Sequence, residues 1–178
     1  MTYAAIFQLE QFDFSDARVF EWGTGYSSLF WADRCKDVIS IDHNEEWLSF
    51  TLEKGRENIK VIKADLDVYA SCIKNFSGKF DVIVIDGDTR NRLRYYCTIY
   101  ALEKLAPGGL VVLDNSDWQP NSCQLLRDNG FMQFDYAGLG PINPYAWCTS
   151  LFVKESLKFK RKPVSPGIVP GGLESVRD

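Results

Sequence analysis

Apolar and polar positions alternate along this chain in two kinds of block: short β-branched runs that stop at an acid, and longer stretches with helical spacing that stop at glycine, asparagine or proline. Residues 19–22 predict a first strand and 26–33 a first helix, with Leu29 and Phe30 on its inner face. A second strand at 38–41 ends at Asp42, and a helix at 45–54 is closed by Gly55. A third strand covers 59–62, with a helical stretch after Asp65 to about residue 75. The run Phe-Asp-Val-Ile-Val-Ile at 80–85 is the strongest strand signal, nearly continuous as a strand buried on both faces must be. A helix from about 91 to 105 meets Pro107-Gly108-Gly109, a tight corner into a strand at 110–113 that stops at Asp114-Asn115. A helix at 121–128 ends in Asn129-Gly130, and two strands follow at about 131–136 and 146–153. Only the loop 138–145 joins them, so they are antiparallel neighbours, because a parallel pair needs a longer crossover. Ahead of the first strand, residues 2–14 predict a short helix on the sheet edge.

Five strand–helix alternations predict an α/β fold, a parallel sheet covered on both faces with right-handed crossovers. A chain of 178 residues suits one domain, taken here as 1–157, followed by a Pro-, Gly- and charge-rich tail at 158–178 without periodicity, expected to be loosely held. With 20 Lys and Arg against 24 Asp and Glu, the chain lacks the positive excess on which non-specific nucleic-acid binding rests. Its five cysteines are widely spaced and form no Cys-x-x-Cys pair, so they read as reduced thiols of a cytoplasmic protein. No signal peptide and no membrane-length apolar run stands out.

The chemistry starts at Glu21-Trp-Gly23-Thr-Gly25-Tyr-Ser27-Ser28, where a strand meets an acid, two glycines and a helix start. Glycines there let a ligand approach the backbone, and a serine can cap the helix whose free N–H groups face the loop. Ligands of such sheets bind outside the carboxyl ends of the strands, where strand order reverses. Each of the first five strands ends in an acid, Glu21, Asp42, Asp65 (one turn beyond its strand), Asp86 and Asp114, which would gather five acids along one rim.

These motifs, in this order, resemble the class I S-adenosylmethionine-dependent methyltransferases. Glu21-Trp-Gly23-Thr-Gly25-Tyr-Ser27 is similar to their first motif, Val38-Ile-Ser-Ile-Asp42 to their ribose-binding strand, Lys63-Ala64-Asp65 to their adenine-side acid, and the strand ending at Asp86 to their fourth-strand motif. The resemblance covers about 18–153 and implies a three-layer Rossmann-like sandwich, a mostly parallel seven-stranded sheet of order 3-2-1-4-5-7-6 with the last strand antiparallel. It also implies S-adenosyl-L-methionine as cofactor, held by Glu21, Gly23, Gly25, Ser27, Asp42, His43, Asp65, Leu66 and Asp86. A carboxylate 17 residues after Gly25 suits two vicinal ribose hydroxyls, each bond being charge-assisted, and Asp42 is assigned to them. Its other reading is an N-cap of the following helix. Asp65 can accept from an exocyclic amine while Leu66 packs on adenine, or Asp65 is a helix cap. Glu21 holds the glycine loop or the cofactor's amino group. His43, the sole histidine, reads as a loop or adenosine-side residue.

Asp86, Asp114 and Asn115 resemble, in two short motifs, the metal site of catechol and caffeoyl-CoA type O-methyltransferases. Neighbouring strands about 4.8 Å apart bring these side chains within reach of one Mg²⁺ or other divalent cation, which could acidify a substrate hydroxyl. Asp86 and Asp114 are thus the candidate catalytic groups; alternatively Asp114 and Asn115 anchor the loop after them. Those enzymes carry a longer helical segment before the first motif, so a homodimer could supply a missing pocket wall. Arg90, Arg92, Arg94 and Trp118 are candidate acceptor contacts, the arginines for an acidic acceptor or else a solvated face, and the aromatic-rich loop 138–147 either flanks the pocket or is a proline-stiffened crossing. The expectation is methyl transfer to an oxygen of a small molecule, with no nucleic-acid or membrane partner. Two rivals are a nicotinamide-dependent oxidoreductase, against which Ser28 stands at the third glycine's place, and a non-catalytic S-adenosylmethionine-binding protein.

Overall fold

A computed structural model describes residues 1–162. Seven strands form one sheet: β1 (Arg18–Trp22), β2 (Asp37–Asp42), β3 (Ile59–Lys63), β4 (Phe80–Ile85), β5 (Leu105–Asp114), β6 (Met132–Gly138) and β7 (Trp147–Val153). Their order is β3-β2-β1-β4-β5-β7-β6, as the resemblance implies. The first five run parallel, and β7 pairs antiparallel with both β5 and β6.

Side-chain parity sorts the core into two layers. Phe20, Trp22, Ile39, Ile41, Ile83, Ile85, Val111 and Leu113 point to one face, where they meet α4 (Leu93–Lys104) and α5 (Pro120–Asp128) through Cys97, Ala101, Cys123 and Leu126. Val19, Val38, Val82, Val84, Leu110 and Val112 point to the other and meet α1 (Tyr3–Leu9) and α2 (Tyr26–Ala32) through Leu9, Trp31 and Ala32. Ile83 and Ile85 are fully buried, each stabilising the fold by about 1.5–3 kcal/mol. Glu21 and Ser40 fall on the α2 side by the same parity.

Register places the site. Trp22 pairs with Ile41 and with Ile85, and Ile85 with Leu113, so four strands end level and release Gly23, Asp42, Asp86 and Asp114 at one edge. After β2, α3 (Glu45–Glu53) starts from Asn44, whose side chain accepts from the Glu46 and Trp47 N–H groups.

Several elements differ from the sequence reading. The inner face of α2 is Ser28, Trp31 and Ala32, whereas Leu29 and Phe30 are half-buried. After β3 the chain makes a turn and a 3₁₀ helix, Ala70–Asn75, instead of an α-helix. The helix expected from 91 starts at Leu93, because Asn91 and Arg92 take left-handed φ values of 50° and 59°. β5 begins at Leu105 and incorporates the Pro-Gly-Gly corner. The expected tail is held at its start: Phe159 packs on Phe14 with ring centroids 4.6 Å apart, and the Lys162 N–H donates to Gln11 O at 2.8 Å. The remainder of that tail, 163–178, lies outside the described residues. Among the described residues, no helix is long and apolar enough to cross a membrane.

Candidate active site

A cavity of about 560 Å³ opens at the level ends of β1, β2, β4 and β5, where strand order reverses between β1 and β4. Its floor is the glycine turn. Gly23 has φ +104° and sits so close to the end of β4 that a Cβ would lie 2.6 Å from the backbone carbonyl of Asp86. Only a residue without a side chain lets these two loops share the floor. Gly25 opens α2, and a Cβ there would lie 3.3 Å from the Trp47 ring, which forms a wall. That volume is within the range of sites for drug-sized ligands.

On the β2 side, Asp42 organises the wall. Its Oδ1 accepts from the N–H groups of His43 (2.7 Å) and Asn44 (2.9 Å), and its Oδ2 from that of Thr24 (2.8 Å). Three backbone donors fix the carboxylate, two of them on Oδ1, and the capacity left for a ligand hydroxyl lies on Oδ2. The helix after it is capped by Asn44, so the capping alternative for Asp42 does not describe this residue. His43 stands between two acids, Nδ1 3.2 Å from Asp42 Oδ1 and Nε2 3.3 Å from Asp88 Oδ2. Arg90 donates to Asp88 through Nε at 2.8 Å and holds that carboxyl below its usual range.

Glu21 lies behind the glycine turn and not on the cavity wall. It is fully buried, and its Oε2 accepts from the Ser28 hydroxyl and, at 3.2 Å, from that of Ser40. Ser40 also bonds Thr24 Oγ1 at 2.8 Å, and Ser28 accepts from the Gly25 N–H at 3.0 Å. A buried polar chain therefore runs from Glu21 through two serines to the loop. Burial pushes the Glu21 carboxyl up to about 8 against the opposing pull of the serine hydroxyls, and its Oε1 has no hydrogen-bond partner. This is the loop-holding role.

On the β4–β5 side, Asp86 faces the cavity with 23% of its side chain exposed. Desolvation and then the charge of Asp114 push it up to about 7. Asp114 goes the other way: burial opposes its charge, but the Met1 amino group and hydrogen bonds from Thr149 and Trp147 together hold its carboxyl low. Trp147 Nε1 donates to Asp114 Oδ1 at 2.9 Å and the Met1 nitrogen to Oδ2 at 3.0 Å. Arg94, 5% exposed, lies beneath the pair. Its guanidinium donates to Gly87 O (2.7 Å), Asp86 O (3.1 Å), Asp86 Oδ1 (3.3 Å), Asn115 Oδ1 (3.3 Å) and the Asp114 carbonyl.

The three side chains expected to ligate a metal are thus engaged elsewhere. Both Asp114 oxygens carry donors, the Asn115 oxygen faces a guanidinium, and Asp86 is left with one uncommitted oxygen. Among the described residues no group of three His, Cys, Asp or Glu side chains is arranged to hold a metal. A divalent cation at this place would have to displace the hydrogen bonds that Asp114 and Asn115 already make.

Of the residues singled out from sequence, the fold brings Gly23, Gly25, Ser27, Asp42, His43, Asp86, Asp114 and Asn115 to one cavity. It does not bring Asp65 or Leu66 there: both are exposed and off the wall. Of the three arginines, none lines the cavity. Trp47, Thr24, Ser40 and Arg94's inward role were not read from the sequence; the helical positions 94, 97, 98 and 101, one inner face of α4, held the signal for Arg94.

The sequence model of a family described as "Methyltransferase domain" matches residues 20–116, just over half of the chain. No curated protein matches. Among solved structures, an rRNA methylase from Streptococcus thermophilus superposes with TM-score 0.65 at 18% identity, covering 84% of this chain and 93% of that one. A precorrin-6y C5,15-methyltransferase from Geobacter metallireducens gives 0.68 at 15% identity, covering 85% and 87%. The N-methyltransferase NodS from Bradyrhizobium japonicum, in complex with S-adenosyl-L-homocysteine, gives 0.58 at 17% identity, covering 79% of each. At these identities the likeness is one of fold.

Proposed function

The chain belongs to this family of methyltransferase domains, with the class I S-adenosylmethionine-dependent fold, and from that premise we propose that it methylates an oxygen of a small-molecule acceptor with Asp86 as general base. The observation that carries the reading is one cavity with a fixed carboxylate, Asp42, on one side of a glycine turn and a carboxyl of raised affinity for protons, Asp86, on the other.

The residues present fit an adenosyl donor. Asp42 would accept from the ribose hydroxyls, its open capacity lying on Oδ2, with Trp47, His43 and the Gly23 to Gly25 turn as the surrounding wall. When bound, S-adenosyl-L-methionine supplies an electrophilic methyl carbon on a sulfonium, and the C–S electron pair stays on sulfur as the acceptor's lone pair takes the methyl group. The protein's share is to hold the acceptor in line and to exclude water. Asp86 takes the proton that the acceptor hydroxyl loses. A base whose proton affinity lies near neutral pH is suited to this, and such a group contributes about 10²–10⁴ in rate. Arg94 keeps the Asp86 carboxylate oriented by bonding one oxygen and the residue's own carbonyl. Glu21 acts at a distance, through Ser28 and Ser40, on the shape of the turn.

The test is an acceptor screen with labelled donor, run beside a titration with S-adenosyl-L-homocysteine. Binding with transfer to an oxygen supports the reading. Binding without transfer to any acceptor would leave a donor-binding protein, and a preference for a nicotinamide dinucleotide would overturn the reading at its root.

A further inference from the structure

The cavity wall carries Asp42, Asp86, Asp88 and Asp114, and no lysine or arginine side chain among the described residues lines it. The nearest cations are occupied: Arg94 lies behind the wall on backbone carbonyls, Arg90 is on Asp88, and the Met1 amino group is on Asp114. An acceptor bearing a carboxylate or phosphate would therefore enter beside Asp42 and Asp86 with no lysine or arginine on the wall to receive its charge, which disfavours it.

The opening on the β7 side has the opposite character. Trp147, anchored by its Nε1–H to Asp114, lines the cavity. Its ring meets Tyr145 edge-on with centroids 5.9 Å apart, and Tyr145 stacks on Trp118 at 6.3 Å and 25°. Trp118 is 53% and Tyr145 46% exposed, and neither lines the cavity, so an aromatic ladder leads from Trp147 on the wall out to the surface; Ile142, 59% exposed, lines the cavity as well. Exposed tryptophan and tyrosine next to a concave site offer flat contact area, and a positive charge on the occupant would gain from their ring faces and from the acids.

We infer that the acceptor is a flat aromatic molecule, uncharged or positively charged, that reaches Asp86 along Trp118, Tyr145 and Trp147. The inference rests on the methyltransferase reading and narrows its acceptor. It leaves out anionic small molecules and nucleic acids, whose phosphates require basic contacts that this wall does not offer.

The experiment uses the full chain saturated with S-adenosyl-L-homocysteine and three probes that share one phenol: p-cresol (neutral), tyramine (cationic) and 4-hydroxyphenylacetate (anionic), titrated by calorimetry or ligand-observed NMR. Expected is at least tenfold weaker binding of the anionic probe than of the other two. Tyr145→Ala and Trp118→Ala, both surface changes, should weaken the neutral and cationic probes about three- to tenfold while leaving the homocysteine product's affinity unchanged. Equal binding of all three probes, tighter binding of the anionic one, binding of none, or indifference to both aromatic variants would overturn the inference while product binding persists. Failure of the product itself to bind would sink the methyltransferase reading and this inference with it.

Discussion

Replacing Glu21 by glutamine should flatten the pH dependence of stability. In the folded chain burial raises this carboxyl from 4.5 to about 8, whereas in the unfolded chain it titrates near its ordinary value. Between those two values the native state binds a proton that the unfolded state has released, so stability falls as pH rises through that window. Below about 4.5 the contribution is fully present, and above about 8 it is gone. Each pH unit inside the window is worth about 1.4 kcal/mol, so moving from pH 6 to pH 9 should cost the wild-type chain about 3 kcal/mol at this position. Glutamine keeps a carbonyl oxygen for the Ser28 and Ser40 hydroxyls, offers an amide N–H where Oε1 now has no partner, and does not titrate. Urea unfolding of both proteins at pH 6 and pH 9 isolates the term as a double difference, in which the titration of Asp86 cancels except for its coupling to Glu21. A value near 3 kcal/mol, with Glu21→Gln the less pH-sensitive, is expected. Parallel pH dependences would refute the buried, proton-retaining Glu21 and with it the polar chain that supports the turn.

The remaining predictions concern the other side of the cavity. Asp86→Asn should lower kcat by about 10²–10³ with product affinity unchanged. In the wild-type chain, kcat should fall as pH drops through about 7, because Asp86 must be ionised to accept a proton; a flat profile through that range contradicts its role as base. Turnover should survive EDTA, since Asp114 and Asn115 are already hydrogen-bonded, and loss of activity restored by Mg²⁺ would contradict the donor-set argument. Gly23→Ala should cost about 3 kcal/mol, from a Cβ driven to 2.6 Å of the Asp86 carbonyl at a left-handed φ, with an unchanged melting temperature as the opposing result.

The strands and the acid edge were legible because they are local events repeated, whereas the sheet order came only with the resemblance: each parallel strand is a short β-branched run, and an Asp closes or follows three of the level strands. Register then did the rest, bringing Asp42, Asp86 and Asp114 to one cavity. Asp65 failed to join them because it lies two residues beyond β3, on an exposed turn. Glu21 follows the rim pattern in sequence, but strand parity turns it to the α2 side, where serines receive it. Arg94 looked like one of three solvated arginines; the left-handed pair Asn91 and Arg92 resets the helix so that Arg94 begins its buried face. The partners of Asp114 come from residues 33 and 35 positions later, a separation at which no local pattern speaks.

The central claim is that the glycine turn and Asp42 seat an adenosyl donor between the ends of β1 and β2. A crystal structure of the full chain with S-adenosyl-L-homocysteine tests it most directly. The expected result is the nucleoside against Trp47 and His43 with the ribose hydroxyls on Asp42. A nucleoside bound elsewhere, or an Asp42 that makes no contact with the sugar, would contradict it.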